Sequence, residues 1–136
     1  SEAATHLMEA SGTTAKDYKW AVFHQPNTKF PQRVASQLGF SMDSIEPGLL
    51  VPVIGNTYAG AAMIGLTATL DIAQPGDRIL VVSFGSGAGS DAFDITVTDA
   101  APLRAGLATK TQDYVKRRSE IDYATYVRFR GKLAMK

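Results

Sequence analysis

The sequence contains no cysteine among its 136 residues. Without a thiol, the chain can form no disulfide, cannot bind zinc through cysteine ligands and carries no cysteine nucleophile of its own. It also lacks an apolar run long enough to cross a bilayer, so no membrane association is predicted. The formal net charge is only +1, which argues against a disordered polyelectrolyte and against a strongly basic nucleic-acid-binding domain.

What is present suits one globular unit. Hydrophobic residues make up 45% of the chain, which is enough to form a core at this length. The first residues show no secretory signal, so a cytoplasmic location is the default expectation. Nine of the 14 Lys and Arg residues fall within residues 101–136. We expect this basic segment to be mainly a solvated helical surface, although phosphate groups or an acidic partner could also bind there.

The apolar pattern predicts an α/β fold with the element order α-β-α-α-β-β-α. Strands are expected at residues 20–23, at the continuous apolar run 78–84 and at the alternating run 93–97. Helices are expected at residues 2–11, from Asn27 or Thr28 to Gly39, and at 57–73, 110–118 and 121–130. The two buried strands need more cover than this chain offers, so we predict that another chain completes the sheet.

Four features could carry chemistry. His24 follows a buried strand at its carboxyl end, where open α/β sheets bind ligands, although a single histidine there is more often structural. Asn56 precedes a helix and could either cap it or donate to an oxyanion. The glycine loop 85–89 lacks the Lys and Ser/Thr of a phosphate-binding P-loop, and it is either a tight hairpin or an anion cradle. Lys29 and Arg33 lie four residues apart and could contact phosphate or only solvent.

In this order, the motifs resemble the C-terminal part of archaeal-type 3-hydroxy-3-methylglutaryl-CoA (HMG-CoA) synthases, in the thiolase-like superfamily. The likeness covers nearly the whole chain and rests on His-Gln-Pro-Asn at 24–27, Gly-Asn-Thr at 55–57, the run 75–93 and the ending 121–132. It implies that residues 1–136 are the C-terminal half of a thiolase-like fold with layered α/β/α architecture. It also implies condensation of acetyl-CoA with acetoacetyl-CoA in the mevalonate pathway of isoprenoid biosynthesis.

The resemblance implies a role for each matching residue. His24 would polarise the acetoacetyl carbonyl, Asn56 would support that site, and the backbone N–H of Ser86 would help to form the oxyanion hole. Further residues would bind the substrate. Lys29 would contact the phosphates of CoA, Tyr58 would line the pocket, and Gly85 and Gly87 would contact the substrate or CoA. No metal and no cofactor are implied, since CoA thioesters are the substrates.

The family's nucleophilic Cys and general-base Glu have no counterpart in this chain. The resemblance therefore implies a partner that carries the N-terminal half, as a separate or a cleaved chain, and a homodimer of the completed enzyme. Acetoacetyl-CoA thiolase and an acyl-CoA shuttle protein are further implied partners. Two alternatives remain open: a β-ketoacyl-acyl-carrier-protein synthase III-like enzyme, which shares the His-Gln and Gly-Asn-Thr motifs, and a non-catalytic acyl-CoA-binding scaffold.

Overall fold

The computed structural model describes residues 2–85, 87 and 89–132. Three strands form one sheet: β1 (Trp20–Phe23), β2 (Arg78–Val82) and β3 (Ala92–Thr96). The helices that precede β2 are α1 (Glu2–Ser11), α2 (Lys29–Leu38), α3 (Val51–Ile54) and α4 (Ala61–Leu70). The helices that follow β3 are α5 (Ala101–Arg104), α6 (Thr111–Lys116) and α7 (Tyr123–Phe129). Short 3-10 turns at Ala15–Asp17, Glu46–Gly48 and Tyr58–Gly60 connect some of these elements.

The sheet has the order β1-β2-β3. β1 and β2 are parallel, with Trp20 opposite Ile79 and Phe23 opposite Val82. β2 and β3 form an antiparallel hairpin, as predicted. The limits of both strands differ from the prediction. β2 ends at Val82, two residues earlier than predicted, and β3 begins at Ala92, one residue earlier than predicted. Among the described residues the outer edge of β3 has no strand partner, which agrees with the prediction of an incomplete sheet.

Each face of the sheet is covered by helices, so the layers are α/β/α as predicted. One core lies between the sheet and the two helices α1 and α2, where Met8 and Ala35 pack with Phe23 and Leu80. The other core lies on the opposite face, where Val22, Ile79 and Val81 pack against Leu66 of α4 and Ala101 of α5. β2 is buried on both faces because it is the central strand, which explains its unbroken apolar sequence.

The prediction of one helix over residues 57–73 is wrong at both ends. The backbone of Tyr58 has a φ of +52°, a left-handed conformation that interrupts the helix, so α4 begins only at Ala61. Its small residues are buried as expected, and they allow a close approach to the turn Glu46–Gly48. A Cβ atom on Gly65 would lie 2.9 Å from the carbonyl oxygen of Gly48. This contact is closer than any other residue at position 65 would allow.

The predicted helix at the start of the chain is confirmed as α1. The predicted helix after His24 is confirmed as α2, which ends at Gly39 with a φ of +88°. Its first turn is capped by Asn27, whose Oδ1 accepts a hydrogen bond from the backbone N–H of Phe30 at 2.9 Å. The C-terminal helices are shorter than predicted, since residues 110–118 reduce to α6 and residues 121–130 to α7.

A polar network links the hairpin to the segment between α1 and β1. The guanidinium group of Arg78 donates two hydrogen bonds to the carboxylate of Asp94. The Tyr18 hydroxyl donates to the same carboxylate at 3.2 Å, and its ring lies under the Arg78 guanidinium. The hydrogen bonds from Arg78 lower the pKa of Asp94 below its ordinary value, and burial opposes this effect only in part.

The C-terminal segment from α5 to α7 packs on the body mainly through α6. The Thr111 backbone N–H donates to the carboxylate of Asp71, and the Thr111 hydroxyl donates to that of Thr67 at 3.0 Å. The Lys and Arg side chains of residues 101–132 are all exposed. This agrees with the expectation of a solvated basic surface. No helix in the described part of the chain is both long enough and apolar enough to cross a membrane.

Candidate active site

The candidate site lies at the carboxyl ends of the two parallel strands, because β1 and β2 end beside each other there. His24 is the first residue after β1, and its backbone N–H donates to the carbonyl oxygen of Val82 at 2.9 Å. That hydrogen bond extends the β1–β2 ladder by one step and holds the histidine backbone against the end of β2. The sequence prediction that His24 follows a buried strand is therefore confirmed.

The His24 side chain lines a cavity of about 270 Å³. Its imidazole ring is half-buried and lies 5.8 Å, centroid to centroid, from the ring of Phe84. The cavity is mainly apolar, with a carboxylate and two hydroxyls at its wall; its other lining residues are Glu2, Ala3, Phe23, Phe30, Val34, Val82, Ser83 and Ser90. A histidine in such an apolar cavity can form a stronger hydrogen bond to a ligand than it would in water.

One nitrogen of the His24 ring lacks a partner. Nδ1 is buried, and no described residue forms a hydrogen bond with it. A buried polar atom without a partner is uncommon in folded proteins and costs free energy. Nothing in the described part of the chain thus fixes the tautomer of the imidazole. A ligand or another part of the complete protein is a suitable partner for this atom.

Asn56 lies in the exposed loop of residues 55–60 between α3 and α4. Its side-chain Oδ1 accepts a hydrogen bond from the backbone N–H of Tyr58 at 2.7 Å. This leaves the Nδ2 amide group to donate to a ligand. Tyr58 itself is 76% exposed and has the positive φ described above. Neither residue lines the His24 cavity, so the described residues do not bring Asn56 and Tyr58 to the wall of that cavity.

The two ends of the glycine loop are paired with each other and extend the hairpin of β2 and β3. Gly85 and Gly89 form an isolated bridge, and the Gly85 N–H donates to the Gly89 carbonyl oxygen at 3.0 Å. Gly87 has a φ of +85°, which favours glycine at that position. Gly85 and Gly87 are exposed, and a Cβ atom on either would meet nothing within 4 Å. Ser86, the predicted oxyanion-hole residue, lies outside the described residues.

The predicted phosphate contacts lie on the first two turns of α2, just after His24. Lys29 is the first residue of the helix, and both Lys29 and Arg33 are exposed. Neither forms an ion pair with a described residue. Both side chains are therefore available to an anion that approaches the His24 end of the sheet.

Two residues of the site lie within the motifs that carry the resemblance, but the sequence did not indicate their contacts. Gln25 is 3% exposed and forms hydrogen bonds to the segments on both sides of the Asn56 loop, to Leu50 before it and to Ala61 after it. Phe84 contacts the His24 ring although the two residues are 60 positions apart in the chain. Only a prediction of which elements pack against each other could have found these contacts. The described residues contain no group of three or more His, Asp or Glu side chains placed to hold a metal ion.

Comparison with known proteins identifies the family. Residues 8–95 match the family described as 3-oxoacyl-[acyl-carrier-protein (ACP)] synthase III C terminal. The chain is 56% identical over 131 residues to hydroxymethylglutaryl-CoA synthase of Methanocella arvoryzae. It is 59% identical over 133 residues to the enzyme of the same name from Thermococcus onnurineus. These matches cover 96% and 98% of this chain but only 38% of each relative.

Solved structures confirm the thiolase-like fold. PksG, an HMG-CoA synthase from Bacillus subtilis, superposes with a TM-score of 0.76 at 17% identity, over 96% of this chain and 36% of PksG. MvaS, solved with 3-hydroxy-3-methylglutaryl coenzyme A, superposes with a TM-score of 0.73 at 22% identity, over 95% of this chain and 39% of MvaS. The chain therefore belongs to the family of the 3-oxoacyl-[acyl-carrier-protein] synthase III C-terminal domain, and within it resembles the C-terminal part of the archaeal hydroxymethylglutaryl-CoA synthases.

Proposed function

We propose that this chain supplies the histidine side of the active site of an HMG-CoA synthase, which condenses acetyl-CoA with acetoacetyl-CoA. The observation that carries the proposal is His24, which lines a cavity at the carboxyl ends of β1 and β2 and whose buried Nδ1 has no hydrogen-bond partner among the described residues. The identity of more than half of the residues to archaeal enzymes of this name supports the same reaction.

The nucleophile of this reaction must come from outside the chain, since the sequence has no cysteine. We propose that the remainder of the enzyme, which the relatives carry in the other part of their length, supplies the Cys that is acetylated and the Glu that acts as base. The open edge of β3 supports this arrangement, because a further strand can pair there. We further propose that the completed enzyme forms a homodimer.

In the condensation step, the base removes a proton from the methyl group of the acetyl thioester. The resulting carbanion attacks the ketone carbon of acetoacetyl-CoA and forms the new carbon–carbon bond. The electron pair of the ketone moves to its oxygen, where an N–H of the His24 imidazole stabilises the developing alkoxide by a hydrogen bond. The alkoxide then takes up a proton, which balances the one that the base removed from the methyl group. Hydrolysis of the thioester to the Cys then releases HMG-CoA. No metal or redox cofactor is required by this balance.

The remaining residues of the candidate site are proposed to assist this step. Nδ2 of Asn56 donates to the ligand beside His24, and the backbone N–H of Ser86 stabilises the oxyanion on the acyl-Cys. Tyr58 and the glycines of the 85–89 loop, Gly85 and Gly87, lie against the acyl chain. Lys29 binds a phosphate of CoA as a point charge, and its exposure at the start of α2 supports this role.

The first test replaces His24 in the complete enzyme, that is, this chain together with the remainder of the protein. His24→Ala should reduce the rate of condensation by about 100-fold to 1,000-fold, the usual cost of losing one oxyanion donor. Acetylation of the Cys should remain nearly unchanged, because the nucleophile belongs to the other part. His6→Ala is the matched control, since His6 is exposed on α1. Equal loss of acetylation and condensation would contradict the proposed role.

A second candidate function is condensation on an acyl-carrier protein, as in 3-oxoacyl-ACP synthase III. The family match itself favours it, since the matching family is described by that name. The match ends at residue 95, however, whereas the likeness to archaeal HMG-CoA synthases covers at least 96% of the chain. Assays with acetoacetyl-CoA and with malonyl-ACP as the acceptor separate the two. For the HMG-CoA synthase function, we further propose a cytoplasmic location. We also propose that the enzyme works with acetoacetyl-CoA thiolase and an acyl-CoA shuttle protein.

A further inference from the structure

Gln25, the residue after the candidate catalytic histidine, is one of the few buried polar residues in the described part of the chain. Its side chain is 3% exposed, although glutamine is mostly found at protein surfaces. A buried amide costs free energy unless hydrogen bonds replace those it formed with water. The position of this residue therefore depends on the partners that the fold provides for it.

The Gln25 amide has a full set of partners. Its Nε2 donates to the carbonyl oxygen of Gly48 at 2.7 Å and to that of Ala61 at 3.3 Å. Its Oε1 accepts from the backbone N–H groups of Leu50 and Val51, both at 2.8 Å. A glutamine amide has two N–H donors and two acceptor lone pairs, so this side chain uses its whole hydrogen-bonding capacity.

These partners lie on both sides of the Asn56 loop. Leu50 and Val51 stand at the start of α3, five or six residues before Asn56, and Ala61 is the first residue of α4, five residues after it. The loop of residues 55–60 between them is exposed, except that Thr57 is partly buried. Its local contacts within residues 55–60 include the bond from Tyr58 to Asn56 and one from the Gly60 N–H to the Thr57 carbonyl oxygen at 3.1 Å.

The other end of this connection is the site itself. Gln25 directly follows His24 in the chain, and the His24 backbone N–H donates to the carbonyl oxygen of Val82 at the end of β2. The contact between Gly65 and Gly48 keeps α4 close enough for the amide to reach Ala61, and a Cβ atom at position 65 would lie 3.1 Å from Gln25 Nε2. One side chain thus joins the histidine segment to both supports of the asparagine loop.

We propose that Gln25 is a positioning residue, which sets the location of the Asn56 loop relative to His24. This inference rests on the proposed function, since it assigns to Gln25 the alignment of two groups that act on the same substrate oxygen. A displacement of about 1 Å between such groups can reduce a rate by about 100-fold. A purely structural role would instead lower stability and leave the relation between His24 and Asn56 unaffected.

The test is a double-mutant cycle in the complete enzyme. Gln25→Met keeps the volume of the side chain and removes all four hydrogen bonds. We expect kcat for condensation to fall by about 100-fold with KM for acetyl-CoA little changed. In an enzyme that already carries Asn56→Ala, the same replacement should cost less than about tenfold, because the aligned group is gone.

The matched control is Thr69→Val, which removes another buried hydrogen bond of α4, from the Thr69 hydroxyl to the Gly65 carbonyl oxygen at 2.9 Å. Thr69 has no bond to residues 55–60, so its effect should combine with Asn56→Ala by multiplication. If Gln25→Met also multiplies with Asn56→Ala, the positioning role is wrong. Should Gln25→Met fail to fold, Gln25→Glu replaces it in the cycle, since it keeps the acceptor for Leu50 and Val51 but loses both donors.

Hydrogen exchange separates this inference from the proposed function. The amides of residues 55–60 should exchange faster in Gln25→Met than in the wild-type enzyme, and Thr69→Val should leave them unchanged. Unchanged exchange in Gln25→Met would overturn the inference whatever the activity. If the wild-type enzyme does not condense acetyl-CoA with acetoacetyl-CoA, the proposed function fails, and the exchange result still decides whether Gln25 holds the loop.

Discussion

Gly65→Ala sets two opposing effects against each other in the middle of α4. Alanine favours the helix over glycine by about 1 kcal/mol, so an exposed position would gain stability from this change. Gly65 is buried, and its new Cβ atom would lie 2.9 Å from the Gly48 carbonyl oxygen and 2.9 Å from Val22 Cγ1. Both distances are too short for a carbon atom, and one of the atoms belongs to the backbone.

The structure predicts that the steric cost of the new Cβ atom is larger than the gain in helix propensity. An extra methyl group in a tightly packed core costs about 1–3 kcal/mol, and a backbone neighbour that cannot rotate away places this site at the upper end. The free energy of unfolding should therefore fall by roughly 1–2 kcal/mol after the helix gain of about 1 kcal/mol is subtracted. The displaced turn would also weaken the bond from Gln25 to Gly48.

The assay is urea unfolding of the complete enzyme, with Gly60→Ala as the matched control. Gly60 has a φ of −74°, and a Cβ atom there would meet nothing within 4 Å. Its replacement by alanine should leave the free energy of unfolding unchanged or raise it by at most about 1 kcal/mol. The packing argument is refuted if Gly65→Ala is as stable as the wild-type enzyme or more stable.

Three further predictions follow from other parts of the structure. Asp94→Asn should lower the free energy of unfolding by roughly 2 kcal/mol at pH 7, the usual value of hydrogen bonds to a charged group. Asp99→Asn, at an exposed position, should change it little, and calorimetry measures both. The pKa of Asp94 is lowered in the folded state. The stabilisation by its carboxylate is therefore complete above the unfolded pKa of about 3.9 and is lost as the pH falls through the folded pKa. The free energies of unfolding of the wild-type enzyme and of Asp94→Asn should thus converge in acid and remain different at pH 9. Lys29→Ala should raise KM for CoA thioesters several-fold with kcat unchanged, and the equally exposed Lys16→Ala should not; an unchanged KM in steady-state kinetics would assign Lys29 to solvent. The chain alone should be inactive and should self-associate in sedimentation experiments, because side chains such as Tyr58, Met63 and Phe129 are more than 60% exposed; a well-folded monomer would contradict this.

The strands and the first helices could be predicted from sequence because short-range patterns define them. β1 is an apolar run, β2 is apolar from Ile79 to its end, and α2 has an asparagine cap at one end and Gly39 at the other. These signals lie within a few residues of the element concerned. The limits of α4 could not be predicted in this way, because the left-handed backbone of Tyr58 has no signature in an alanine-rich and glycine-rich segment.

The same difference applies to the candidate site. His24 could be placed at the end of a strand from its neighbours in sequence. Only the positions of the surrounding described residues show that its Nδ1 is buried and has no partner among them. Gln25 lies within the same motif, but its four partners are 23–36 residues away. A pattern of residue types contains no information about such contacts unless the pairing of elements is already known.

The absence of cysteine alone determined that this chain cannot contain the nucleophile of a thiol-dependent condensation. The order of its motifs also determined the family and the layered α/β class, since both depend on residues close together in sequence. The tertiary structure decided which groups meet. Parallel pairing of β1 with β2 brings Phe84 to His24, and the close packing of α4 lets one buried amide join the histidine to the asparagine loop. These contacts depend on the packing of distant segments, which local sequence patterns do not record.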